Sequence, residues 1–317
     1  MNPTRRELLA SLSLAAAATA LPRPLFAQST APALPALPPA ATNPNKRFKI
    51  AADDLFLLQR QKVKALDIAA KCNLDGVIVD MGSMAGGKVY NNALRDEALC
   101  KQYMEESKKT GVQIPALAFW ALYAWVFVNL PKPEDIAQEW IDTLIRMNVK
   151  TGIMPLMTKD GTMAEAEHAD VRKRTVAIYK TIAPAAEKAG LTLAIESNLD
   201  ADGYIKFLDE IGSPAFKAFY NPGVGLENKF DVYADIRKLG KDRIAMLHLE
   251  QGSVKPETFE HLLGDGLIDF TKLKAALDDI HYTGWMSIAR SRKKGREKKV
   301  EENFTTNATF LHDHFPE

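Results

Sequence analysis

Two short apolar runs end in side chains whose chemistry belongs together. "LTLAIES" carries Glu196, and "RIAMLHLE" carries His248 and Glu250. A carboxylate and an imidazole on neighbouring elements can hold a divalent metal ion or share a proton. Residues two apart in a strand share a face. Thr192, Ala194 and Glu196 therefore lie on one side, and Leu193, Ile195 and Ser197 on the other. His248 and Glu250 likewise share a face and alternate with Leu247 and Leu249. Asn198 follows two residues after Glu196, and Asn221 closes the run "FKAFYN" just before Pro222 and Gly223. Plainer roles stand beside these: a rim ion pair for Glu196, a hydrogen-bonded core histidine for His248, and a turn former for Asn221.

These residues sit in a regular frame. From Phe48 onward there are eight short apolar runs: "RFKIAAD", "GVIVDMG", "QIPALAFW", "TGIMPLM", "LTLAIES", "FKAFYNP", "RIAMLHLE" and "GWMSIAR". Such runs suit parallel strands buried on both faces. Amphipathic helical segments alternate with them, from "LQRQKVKALDIAAKC" to a last helix expected from about Arg296 to His312. Pro133 near a helix start and Gly190 just past a helix end have the expected asymmetry. Pro184 is expected to kink its helix. The order and size predict an α/β fold, a single (β/α)8 TIM barrel. The other arrangement is an open doubly wound sheet, but no Gly-rich nucleotide loop follows the first strand. "MGSMAGGK" lacks a phosphate-loop ending and is expected to be a flexible loop after strand two.

A barrel of this kind gathers its chemistry at the C-terminal strand ends. Those ends carry Asp53, Asp54, Asp80, Phe119, Trp120, Lys159, Asp160, Glu196, Asn198, Asn221, His248, Glu250, Gln251 and Arg290. Trp120, with Phe119, Tyr123 and Trp125, is a candidate aromatic floor for a small-molecule ligand, or else an apolar lid. Arg290 is a candidate contact for a carboxylate or phosphate group of a ligand. Arg292 belongs to a basic run, 290–299, whose ordinary role is a solvated surface.

"LAIESN", "FYNPG", "IAMLHLEQG" and "LGDGLIDFTKLKAALDDIHYTGW", followed by "MSIAR", appear in this order. Over roughly residues 48 to 312 the chain resembles the sugar phosphate isomerase/epimerase family, the xylose-isomerase-like TIM barrels. The resemblance implies a metal set of Glu, Asp, His and Glu at the ends of strands five to eight, with the two glutamates moving the substrate proton. Carried over residue by residue, the first Glu falls on Glu196 and the His on His248. The Asp falls on Asn221, and the second Glu on Ala289. A further family His falls on Val224. Two negative charges are thus missing, so Mg²⁺ or Mn²⁺ is expected to bind weakly or not at all. The catalytic candidates are Glu196 and His248, which are also the metal candidates. The substrate-binding candidates are Trp120, Asn198, Asn221, Glu250 and Arg290. Two functions remain open. One is an exported isomerase or epimerase acting on a sugar by proton transfer. The other is a non-catalytic carbohydrate- or partner-binding barrel with a degenerate metal site.

The first 27 residues read as an export signal. Arg5-Arg6 precede a short apolar stretch, Leu8 to Leu21, and "LFAQ" offers a cleavage point after Ala27. The twin arginine resembles the signal read by the twin-arginine machinery. A periplasmic or otherwise exported protein is expected, with tethering by an uncleaved signal as the alternative. Residues 28–46 are a Pro/Ala-rich spacer, and 47–317 form the barrel domain. The 41 basic and 40 acidic residues balance, which gives no footprint for nucleic acid. No stable membrane span is expected after processing. Cys72 and Cys100 read as buried free thiols, although export would permit a disulfide.

Overall fold

The structure is a computed structural model and describes residues 46–156, 168–251, 262–289 and 299–316. Eight parallel strands close into a barrel in the order β1 (Phe48–Asp53), β10 (Gly284–Ile288), β9 (Ile244–Leu249), β8 (Phe216–Tyr220), β7 (Thr192–Glu196), β6 (Thr151–Pro155), β5 (Ala116–Ala118) and β2 (Gly76–Asp80). This is the (β/α)8 fold that the alternation of apolar runs predicts. The helices around it are α1 (Lys64–Lys71), α2 (Glu97–Thr110), α3 (Pro133–Arg146), α4 (Ala169–Lys188), α5 (Ala201–Ile211), α6 (Pro222–Glu227), α7 (Val232–Arg243), α8 (Phe270–Asp279) and α9 (Val300–His314). Aspartates start several of them. The side chains of Asp96, Asp200, Asp231 and Asp269 accept the first free backbone N–H groups of α2, α5, α7 and α8.

Two cores follow from the strand alternation. One set of side chains packs between strands and helices. The other fills the lumen, with Ala51, Ile78, Ala116, Ala118, Ile153, Ala194, Phe219 and Met246 under Trp120. Small residues on several strands leave room for the large rings of others. Each lumen residue sets the parity of its strand. Ala51 turns Asp53 inward, Ala194 turns Glu196 inward, and Met246 does the same for His248.

Several local expectations change. The stretch after β2 is a β-hairpin, β3 (Gly82–Ala85) paired antiparallel with β4 (Val89–Asn92), rather than a flexible loop. The first helix begins at Lys64 and not at Leu58. Asp54 captures the intervening backbone, its carbonyl accepting from Gln59 N at 2.9 Å and its carboxylate from Gln61 N at 2.9 Å. Leu58 and Gln61 take positive φ to do so, which a helix does not permit. Pro222 and Gly223 start the short helix α6 instead of a bare turn. α4 runs from Ala169 to Lys188 through Pro184. The last helix is described from Val300, and its expected start at Arg296 lies outside the described residues. So do Lys159, Asp160, Arg290, Arg292, the signal segment and nearly all of the spacer. Cys72 and Cys100 are buried free thiols. Among the described residues no helix is long and apolar enough to cross a membrane.

Candidate functional site

The strand ends bring Asp53, Glu196, Asn221 and His248 into one fully desolvated group at the C-terminal end of the lumen. His248 Nδ1 lies 2.8 Å from Glu196 Oε1, and Nε2 lies 3.2 Å from Asp53 Oδ2. Both ring nitrogens therefore face carboxylates, and the imidazole meets both acceptors only when doubly protonated. Burial by itself opposes that charge. Glu196 and Asp53 together outweigh it and push the His248 pKa up to about 10. The ring is also stacked against Phe219 (4.7 Å between centroids, 23°) and Trp120 (5.7 Å, 19°), faces that favour a cation.

Glu196 is saturated with donors. Besides His248, Oε1 accepts from Asn221 Nδ2 at 3.0 Å, and Oε2 accepts from the Tyr123 hydroxyl. Burial raises a carboxyl pKa, but His248, Tyr123 and Asn221 reverse this and hold Glu196 below its ordinary value. Asp53 has fewer partners. Burial dominates there and its pKa is raised, although Ser287 Oγ donates to it at 3.3 Å.

Asn221 uses both ends of its amide. Oδ1 accepts from Val224 N at 3.2 Å and caps α6, while Nδ2 donates to Glu196 and more distantly, at 3.5 Å, to Glu250. An aspartate could make the cap but not the donation. A hydrogen bond thus joins the two positions that a cation would otherwise bridge.

The remaining candidates divide. Trp120 is inward and buried above His248. Glu250 and Asn198 are half-buried at the rim. Phe119 faces the other way and packs against Tyr90 (4.5 Å), and Trp125 covers Gly87 of the hairpin. The four aromatics after strand three therefore do not make one floor. Period-two alternation sends Phe119 to the outer core when Trp120 faces in. Arg290 lies outside the described residues. The roles of Asp53 and Tyr123 were not apparent from the sequence. Strand parity marks Asp53 as inward, but nothing in one dimension pairs it with His248. A second carboxylate cluster lies beside the site. Asp54 is fully buried, Asp80 is bonded to Arg60, and burial raises the Asp80 pKa to about 6 despite that guanidinium.

This donor set does not fit a divalent metal. Ala289 offers no ligand atom, Asn221 presents its N–H₂ to Glu196, and both nitrogens of His248 are engaged by carboxylates. Among the described residues, no group of three or more His, Cys, Asp or Glu side chains is placed to hold a metal ion.

Residues 66–311 match the model of the family described as xylose isomerase-like TIM barrel. No curated protein matches the sequence. Solved structures share the fold at low identity. One is a D-psicose 3-epimerase with D-tagatose from Clostridium cellulolyticum H10, with a TM-score of 0.64, 12% identity, and 85% of this chain and 99% of that one covered. A second is the 3-keto-D-glucoside 4-epimerase of E. coli in its apo form (TM-score 0.63, 13% identity, 83% and 99% covered). A third is the IOLI protein with a bound zinc atom (TM-score 0.62, 15% identity, 84% and 98% covered).

Proposed function

The chain belongs to the xylose isomerase-like TIM-barrel family, and on that premise we propose that it is a sugar-binding barrel which no longer carries out metal-dependent proton transfer. One observation carries this reading: His248 is closed through both ring nitrogens by Asp53 and Glu196. The imidazolium supplies in place the positive charge that neutralises the buried carboxylates. Glu196, ionised and holding three donors, is a weak base. The second acid/base position of the family is Ala289, whose methyl group moves no proton. Hydrogen-bonding groups and aromatic surface nevertheless remain at the mouth, as a sugar site requires. The ligand class follows the neighbours in the fold: one of the solved epimerases was determined with D-tagatose and another in the presence of D-fructose.

Calorimetric titration with D-fructose and D-tagatose, in EDTA and again with Mn²⁺, tests the proposal. NMR of the same mixtures in D₂O follows exchange of the protons next to the carbonyl carbon. Binding that is indifferent to EDTA, no deuterium uptake and no Mn²⁺-dependent rise in Tm are expected. Deuterium uptake that requires Mn²⁺ would restore the epimerase reading.

A further inference from the structure

We propose that Tyr123 is a displaceable gate, whose hydroxyl occupies on Glu196 the place of a ligand hydroxyl. The proposal rests on the sugar-binding reading above and adds how the site is closed and opened. Glu196 belongs to the barrel wall, whereas Tyr123 comes from the turn Trp120–Tyr123 beyond the end of β5. Its hydroxyl reaches Glu196 Oε2, the carboxylate oxygen that points away from the Asn221 and His248 contacts. A neutral O–H donating to this oxygen is what a sugar hydroxyl would also provide.

The two rings of the turn are placed differently. Trp120 is 3% exposed and stacked over His248, while Tyr123 is 38% exposed. Their ring centroids are 5.5 Å apart and their planes within 5° of parallel, so the more exposed Tyr123 ring stacks on the buried Trp120 ring. Behind Tyr123, Leu122 is 1% exposed and anchors the turn in the core. The Tyr123 side chain can therefore rotate outward while the backbone stays in place. That motion breaks one hydrogen bond and one stacking contact, and it uncovers the Trp120 face. A pyranose or furanose ring entering there meets the aromatic face and a carboxylate oxygen freed for its hydroxyl. In the closed state the site binds its own side chain, and the apparent affinity for sugar is the intrinsic affinity multiplied by the fraction of molecules that are open.

Two measurements test the gate. The first compares D-tagatose and D-fructose affinities of the parent and Tyr123→Phe, with Tm as the folding control. Phenylalanine keeps the ring and loses the hold on Glu196. A hydrogen bond to a charged group has the magnitude to tighten sugar affinity by at least about tenfold when it is lost. Unchanged or weaker affinity for a sugar that binds the parent overturns the gate. The second needs no ligand. In protein labelled with 3-fluorotyrosine, the ¹⁹F line of residue 123, assigned by its loss in Tyr123→Phe, is expected to move toward the exposed-tyrosine position on warming. A line fixed at a buried position while the protein stays folded overturns the gate. If no sugar binds either form, the sugar-binding reading fails, and the ¹⁹F line alone decides the gate.

Discussion

At His248 the hydrogen bonds decide the chemistry. The ring is held edge-on by Asp53 and Glu196 and face-on by Phe219 and Trp120. A lone pair for a metal, or a neutral nitrogen for a proton, would require one of the carboxylates to leave or to take the ring's proton. The consequence for pH has a definite sign. The folded pKa is about 10 and the ordinary histidine value is about 6.5. The folded state therefore holds this proton more tightly than the unfolded chain. The stability it contributes is fully present below pH ~6.5 and is lost as pH rises through about 10. NMR of ¹⁵N-histidine is expected to show His248 doubly protonated at pH 8, and urea unfolding to show stability falling from neutral pH toward pH 10. A neutral imidazole at pH 8 would contradict the closed site. Sequence alternation was enough to turn Glu196 and His248 to the same lumen. It could not identify Asp53 as their partner, because Asp53 and His248 are 195 positions apart and β10 lies between their strands.

At the scale of elements, close packing sets where strands and helices can meet. Gly152 on β6 faces α3, where Trp140 is fully buried. A Cβ on Gly152 would fall 2.3 Å from Trp140 Nε1 and 2.6 Å from Leu144 Cδ1. Gly152→Ala is therefore expected to cost about 1–3 kcal/mol, the usual range for overpacking a dense core. Urea unfolding measures this directly, and a change below about 0.5 kcal/mol, the scale of a neutral surface substitution, would show that Trp140 yields easily. The strands themselves were readable from their apolar runs. The β3–β4 hairpin was not, because its Gly-rich tip and polar ends carry little alternation. Arg60 ties it to the barrel, donating to Asp80 and, at 2.7 Å, to Gly82 O. The start of α1 was missed for a similar reason, since "LQRQKVK" has helical composition and Asp54 takes its backbone amides first.

For the molecule as a whole, closure of the barrel brings together strand ends from β1, β7, β8 and β9. The contacts among Asp53, Glu196, Asn221 and His248 form only once those strands are side by side in the closed barrel. At this scale we also propose that residues 1–27 are a cleaved export signal, which predicts a mature N terminus at Gln28. Intact-mass measurement of the protein produced with its own leader checks it, and a mass that retains residues 1–27 would favour the tethered alternative.

The sequence by itself determined the frame. Eight buried apolar runs alternating with amphipathic helices have one economical closed arrangement, and their parity puts Glu196 on one face of its strand and His248 with Glu250 on one face of theirs. It also showed that Asn221 and Ala289 depart from the metal-binding pattern of the family it resembles. What it left undetermined was what replaced that pattern. Composition and spacing cannot say that both nitrogens of His248 are occupied, that the Asn221 amide serves as a donor, or that Tyr123 reaches Glu196. Those contacts join residues distant in the chain, and hydrogen-bond direction depends on atoms a few ångströms apart. Only the closed barrel places them.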